Sequence, residues 1–419
     1  MYFRKEEFEP HHMEKGKSKY SEIAKAGAVF PQESLQEVKQ GSKHLFIGIP
    51  KETSFQENRV PLVPSAVSLL VYNGHEIIIE SGAGKASNFD DHEYSEAGAR
   101  IVYHAEDVYK ADLILKVAPP SLDELKLMKE RQTLLSILQI SMQPEEYVKQ
   151  LCSKKITALA YEYIQDKTGI FPIVKAMSEI VGSTAILIAA EYLSSHSQGK
   201  GEILGGVPGI PPTEVVILGA GTVGEFAVRA AIGLGANVKV FDNSLYKLRR
   251  LQNSIGQRVY TSTISPKNLS SALKSADVAV GAILAQEGRS PCIVSEEMVS
   301  QMRPGSVIID VSIDQGGCFE TSRITTHNKP VFRKHDVIHY CVPNIGSRVS
   351  RTASYALSNI FSPILLSIGE EGGIDGMLVA DKGVRHGVYL YKGTVTNKYI
   401  SEVCNLPFRD LDLLMAARF

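Results

Sequence analysis

The most specific chemistry in the sequence is carried by three glycines and an aspartate. In "EVVILGAGTVGEFAVRAAIGLGANVKVFD", Gly219, Gly221 and Gly224 form a GxGxxG turn between a β-branched run and an apolar helical stretch. Asp242 closes the next β-branched run, 21 residues after Gly221. On a dinucleotide each has a job: the first glycine makes the tight turn, the second lets backbone approach a pyrophosphate, and the third lets helix pack on strand. The helix N-terminus attracts the phosphates. Asp242 would accept from the adenosine ribose hydroxyls, which favours NAD, because a 2′-phosphate would meet a carboxylate there. Lys247, Arg249 and Arg250 follow in a helical stretch. As phosphate contacts they leave room for NADP; as a solvated helix face they do not. Lys247 stands with the candidate cofactor contacts.

Further charges fall where strands should end. "GSVIIDVSIDQGGCFET" is an apolar run that carries Asp310 and delivers Asp314 to its tip. In open α/β sheets ligands sit beyond the carboxyl ends of strands, so Asp314 is a candidate cleft acid; the other reading is an acid capping a turn. Asp310, expected on the same strand face, reads as a buried structural group. Lys116 ends "ADLILKV", at another strand tip, and Arg59 lies in the loop "PKETSFQENRVPLVP", where a guanidinium could clamp a carboxylate in a bidentate pair. For both, the competing reading is a solvated surface charge.

These positions need a scaffold, and the chain is long enough for two domains: 419 residues, 44% hydrophobic and 22% charged. Short β-rich runs ("LFIGIP", "HEIIIE", "ARIVY", "ADLILKV", "TLLSIL", "TALAYEYI") alternate with helical stretches, and a second such series runs from "EVVILG" to "DVIHYCV". The expected fold is α/β: two doubly wound Rossmann-like domains with parallel sheets and an active site in the cleft between them. Residues 1–45 read as an N-terminal extension, 46–172 plus 351–419 as the substrate domain and 173–350 as the NAD-binding domain. Ser178 is expected to cap the long helix "SEIVGSTAILIAAEYLSS".

A net charge of −1 and the lack of a basic block interleaved with aromatics argue against nucleic acid. The apolar stretches "AILIAAEYL" and "ALSNIFSPILLSI" are too short or broken by polar residues and Pro363, and no signal-peptide core is seen, so no membrane is expected and the cytoplasm is. Five scattered cysteines suit reduced thiols, and no metal-ligand spacing is present.

"IGIPKETSFQENRVPLVP", "ESGAG", "ILKV", "MSEIVG", "LGGVPG", "VVILGAGTVG", "IDQGGCFETSR" and "HYCVPN" stand in the order found in alanine dehydrogenases and their relative, the soluble nucleotide-binding part of proton-translocating transhydrogenase. From about Phe46 onward the chain resembles that family, and "IDQGGCFETSR" and "LGGVPG" resemble the dehydrogenase branch more. The resemblance implies that Arg59 and Lys116 hold the substrate's carboxylate and carbonyl and that Asp314 sits beside the reacting centre. It also implies that Ser178 and Asp242 contact NAD, joined by Asn344 at the end of "HYCVPN", and that the chain forms a homo-oligomer, commonly a hexamer. Three departures stand out. Gln139, in "LLSILQISM", takes the place of the family's catalytic histidine, and "KVAPPS" and "CVPNIGSRVSRTAS" depart from the family's usual loops. The expected activity is NAD-dependent interconversion of L-alanine with pyruvate and ammonia. The rivals are a related NAD(P) enzyme acting on another amino or oxo acid, and a non-catalytic transhydrogenase-like nucleotide-binding subunit.

Overall fold

The computed structural model describes residues 43–140, 143–284 and 289–416; nearly all of the expected N-terminal extension lies outside them. Its strands are β1 (Phe46–Ile49), β2 (Glu76–Glu80), β3 (Arg100–Val102), β4 (Leu113–Leu115), β5 (Thr133–Ser136), β6 (Thr157–Ala160), β7 (Glu214–Leu218), β8 (Asn237–Phe241), β9 (Tyr260–Ser262), β10 (Val278–Gly281), β11 (Val307–Asp310), β12 (Val331–Lys334), β13 (Val337–Tyr340), β14 (Val388–Tyr391) and β15 (Thr394–Val395).

The first sheet has the order β15-β14-β6-β5-β4-β1-β2-β3 and the second β12-β13-β11-β10-β7-β8-β9. Within each, six parallel strands follow the doubly wound order 3-2-1-4-5-6, with the switch between β1 and β4 in one and between β7 and β10 in the other. The central strand sequences are rich in Val, Ile and Leu because both faces are covered. In the first sheet Ile47, Ile77, Ile79 and Leu113 point to one core and Ile78, Ile114, Leu134 and Ala158 to the other. In the second, Val215, Ile217, Val278 and Ile309 oppose Val216, Leu218, Ala279 and Ile308.

The sheets are not wholly parallel as expected. The C-terminal tail returns to the first sheet, where β14 runs antiparallel to β6 and to β15. An extra strand, β12, forms an antiparallel hairpin with β13. Its two turn residues, His335 and Asp336, both have positive φ, 54° and 58°, as a primed hairpin turn demands.

The long helix also differs from expectation. It spans Pro172–Leu193, seven residues more at its start, because Pro172 occupies the first turn, where its fixed φ suits a helix and its missing N–H costs nothing. Ser178 therefore lies in the second turn and caps nothing. At 22 residues this helix is long and apolar enough to cross a membrane by length and composition. Here it lies against the helix Thr222–Gly233, so closely at Gly182 that a Cβ would stand 2.3 Å from the Val223 carbonyl oxygen. Its Ala185, Ile186, Ile188, Ala189 and Leu193 belong to the core of the second sheet.

Candidate active site

Every residue singled out for chemistry lies just past the carboxyl end of a strand or on a helix facing that end. The loop after β1 brings Glu52, Glu57 and Arg59. It is fixed by a stripe of buried serines on the segment running into the helix Ser350–Glu370. Ser347 Oγ accepts from the Asn58 N–H at 2.8 Å and donates to the Gln56 carbonyl at 2.7 Å. Ser354 and Ser358 accept from the N–H groups of Val60 and Val63 at 2.9 and 2.8 Å. Serines four apart share one helix face, so a loop with no ladder of its own has its backbone donors paired and Arg59 held in register.

The Arg59 guanidinium is largely buried, and it does not stand alone. Glu57 takes its Nε at 2.7 Å and its Nη2 at 2.6 Å, while Nη1 approaches Met177 Sδ at 3.5 Å. Burial would raise the Glu57 pKa, but the guanidinium overrides it and holds the carboxylate below its usual range. Glu57 also accepts from Asn344 Nδ2 at 2.9 Å, and the Asn344 backbone N–H donates to Asp314 Oδ1 at 3.2 Å. Asn344, in the left-handed region at φ 56°, thus links Arg59 on the first sheet to Asp314 on the second. Asp314 is not on the strand, as expected, but in the 3-10 turn Val311–Gln315. β11 stops at Asp310, whose buried carboxylate accepts from the Ser312 and Cys318 N–H groups and the Ser322 hydroxyl at 3.1, 3.0 and 2.6 Å. Asp314 stays solvent-accessible within the crowded cleft, and desolvation there pushes its pKa up to about 6.

Lys116 is neither a surface charge nor open to solvent. Its side chain is 0% exposed and its ammonium lies 2.7 Å from Glu124 and 3.4 Å from Glu52. Burial opposes the charge, but the two carboxylates keep its pKa above the ordinary value. Glu52, which also accepts from the Val117 N–H at 2.6 Å, is pushed by burial up to about 7. Glu124 is held low against its own burial by Lys116, and its other oxygen closes a capping box with Ser121. Gln139 lies three residues past β5, the neighbour of β4, which Lys116 follows; Gln139 is exposed and its φ is 46°. Beneath it Glu162 accepts from the Leu138 N–H at 2.8 Å.

On the second sheet the glycine turn fits a pyrophosphate. Gly219 has φ 108°, a Cβ at Gly224 would stand 1.9 Å from the Gly219 carbonyl oxygen, and a Cβ at Gly221 would meet nothing within 4 Å. The open approach is therefore at the residue where phosphate must come near. Asp242 faces this turn, accepting from the Ala220 N–H at 2.8 Å and the Ser244 N–H at 2.7 Å. Ser178, one turn before Gly182, shares the helix face turned to Thr222–Gly233. Lys247 is exposed in the first turn of the helix Leu245–Ile255. Among the described residues no cluster of three or more His, Cys, Asp or Glu could hold a metal ion.

Sequence reasoning missed Glu52, Glu57, Glu124 and the serine stripe. Only two of these had a local signal: the Ser121-x-x-Glu124 capping box and the i, i+4 spacing of Ser354 and Ser358.

Fold and site define an α/β protein in which two doubly wound sheets meet over one cleft. The N-terminal and C-terminal domain models of the alanine dehydrogenase/PNT family match residues 48–181 and 185–398. An alanine dehydrogenase of Methanococcus maripaludis is 42% identical over 366 residues, 87% of this chain and 98% of its own length. One of Mycolicibacterium smegmatis is 38% identical over 373 residues, 89% of this chain and all of its own. Among solved structures, an L-alanine dehydrogenase superposes with TM-score 0.80 at 37% identity, over 85% of this chain and 98% of that one. A transhydrogenase from Sinorhizobium meliloti shares the fold, with TM-score 0.72 at 23% identity over 84% of this chain and 99% of that one. The chain belongs to the alanine dehydrogenase/PNT family.

Proposed function

We propose that this protein is an NAD-dependent alanine dehydrogenase, converting L-alanine, NAD and water to pyruvate, ammonium, NADH and a proton. One observation carries the reading beyond family membership: a buried guanidinium, Arg59, is linked through Glu57 and Asn344 to the cleft acid Asp314 past the second sheet's β11. NAD, when bound, supplies the hydride acceptor. Gly219, Gly221, Gly224, Ser178, Asp242 and Asn344 would hold it, with Lys247 at the margin. Glu57 leaves the end-on edge of the Arg59 fork for a substrate carboxylate. Lys116 supplies positive charge for the oxygen of the oxo acid, and Asp314 takes up a proton as the carbon–nitrogen bond becomes an imine that water hydrolyses. Strand membership supports a substrate domain of 46–172 plus 351–419 and a nucleotide domain of 173–350. Five free cysteines suit a cytoplasmic setting, and a homo-oligomer is the family's habit.

Gln139 supports a second reading, an enzyme of this family acting on another amino or oxo acid, because an amide cannot exchange a proton as histidine does. NADH formation by the purified full-length protein with a panel of L-amino acids tests both. Alanine should give the highest kcat/KM; a different amino acid at least tenfold better would move the assignment to the second reading.

Asp242→Ala should weaken NAD binding about tenfold or more, the loss expected for hydrogen bonds to a charged group. Because the carboxylate also ties down the glycine turn and the start of the next helix, the variant should lose about 1–3 kcal/mol of stability as well. Unchanged NAD affinity by calorimetry would remove Asp242 from the ribose site.

A further inference from the structure

Glu57 is a carboxylate that touches both halves of the site. It takes one edge of the Arg59 guanidinium, Nε and Nη2 at 2.7 and 2.6 Å, and receives the Arg59 backbone N–H at 3.0 Å. The oxygen that takes Nη2 also takes the Asn344 side-chain amide at 2.9 Å. The Asn344 backbone in turn binds Asp314 at 3.2 Å. Ser347, three residues on, grips the same loop on both sides of Glu57, through the Gln56 carbonyl and the Asn58 N–H. The path from substrate cation to cleft acid is therefore a continuous chain of direct hydrogen bonds crossing from the first sheet to the second. Among the described residues Glu57 is the one whose side chain bonds both Arg59 and Asn344.

We infer that Glu57 is a positioning residue that couples occupancy of the nucleotide side of the cleft to carboxylate binding at Arg59. This rests on the reading of the cleft as a dinucleotide and oxo-acid site. With Glu57 in place, the guanidinium is held in one orientation, its end-on edge presented and its rotamer freedom already spent before a carboxylate arrives. A ligand that fixes Asn344 from the nucleotide side also fixes the carboxylate that aims Arg59. Each ligand then finds the other's half of the site ordered, and their affinities rise together. Without the carboxylate of Glu57, Arg59 keeps its charge but loses its aim, and the two ligands bind independently.

The probe is oxamate, an unreactive mimic of pyruvate, titrated calorimetrically into full-length protein with and without saturating NADH. In the native protein NADH should tighten oxamate about fivefold or more, within the usual range of coupling between sites. In Glu57→Gln, where the oxygen that takes Nε becomes an NH2 donor facing a guanidinium that can only donate, that ratio should fall below about twofold. NADH affinity alone should change little. Glu57→Asp, one methylene shorter, gives the same reading should the glutamine variant lose the fold. A merely structural role would weaken both ligands or lower stability while leaving the ratio intact, and an intact ratio in a folded variant overturns the inference. If the native protein binds neither NADH nor oxamate, the reading of the cleft fails with it; if it binds both without coupling, the inference alone fails.

Discussion

Lys116→Met should lower the stability of the protein by about 3–5 kcal/mol at about pH 8 and abolish pyruvate-dependent NADH oxidation, while NADH binding stays close to native. Methionine fills nearly the volume of the lysine stem, so the loss comes from charge. The ammonium is 0% exposed between Glu52 and Glu124, and removing one partner from a buried ion cluster leaves carboxylates that neither water nor a cation compensates. The sign with pH follows. Glu52 already has a folded-state pKa raised by burial to about 7, and without Lys116 the burial of Glu52 and Glu124 loses the ammonium that opposes it. Such groups are protonated and harmless below the unfolded pKa and become costly as pH rises through the folded one. The destabilisation should therefore be small in acid and grow towards neutral and alkaline pH. Urea midpoints of variant and native protein across that range measure it; a difference under about 1 kcal/mol at the alkaline end would mean that the cluster is not a compensated charge set.

Gln139→His should raise alanine turnover about tenfold or more. A positioned acid–base group contributes about 10²–10⁴ in rate, and glutamine contributes none of it. In the native protein the carboxyls near the site raised towards neutrality are Asp314, to about 6, and Glu52 and Glu162, each to about 7, all by desolvation. Their ionised forms are the proton acceptors, so alanine oxidation should fall as pH drops through that interval. Asp314→Asn should flatten the lower limb, and Gln139→His should add a group near 6.5, the histidine reference value. If Gln139→His instead abolishes activity in a folded protein, glutamine is a chosen substrate contact and the enzyme acts on another amino or oxo acid.

How much of this was legible depended on whether the signal was local. Gly219, Gly221, Gly224 and Asp242 lie within 24 residues, and the strand–turn–helix they imply is the one found. The apolar runs of the central strands were readable because strands covered on both faces are nearly continuous Val, Ile and Leu, while the edge strands β3 and β9 are only partly buried. The β12–β13 turn was not, since His335-Asp336 stands where Asn-Gly would announce a hairpin. Ser178 was misplaced because an N-cap residue was sought inside a helix that Pro172 had already begun. Arg59 and Lys116 could be named, but not their surroundings. Glu52 lies 64 residues before Lys116 and Asn344 lies 287 after Glu57, and only the doubly wound topology brings their strand ends together.

The central claim is that this cleft moves a hydride from the α-carbon of alanine to a nicotinamide. L-alanine deuterated at its α-carbon, incubated with NAD and the purified full-length protein, tests it in one measurement. Mass spectrometry of the coenzyme should find one deuterium in the NADH formed, in step with pyruvate release. Pyruvate without label in the coenzyme, or no pyruvate while another amino acid reduces NAD, would contradict the account.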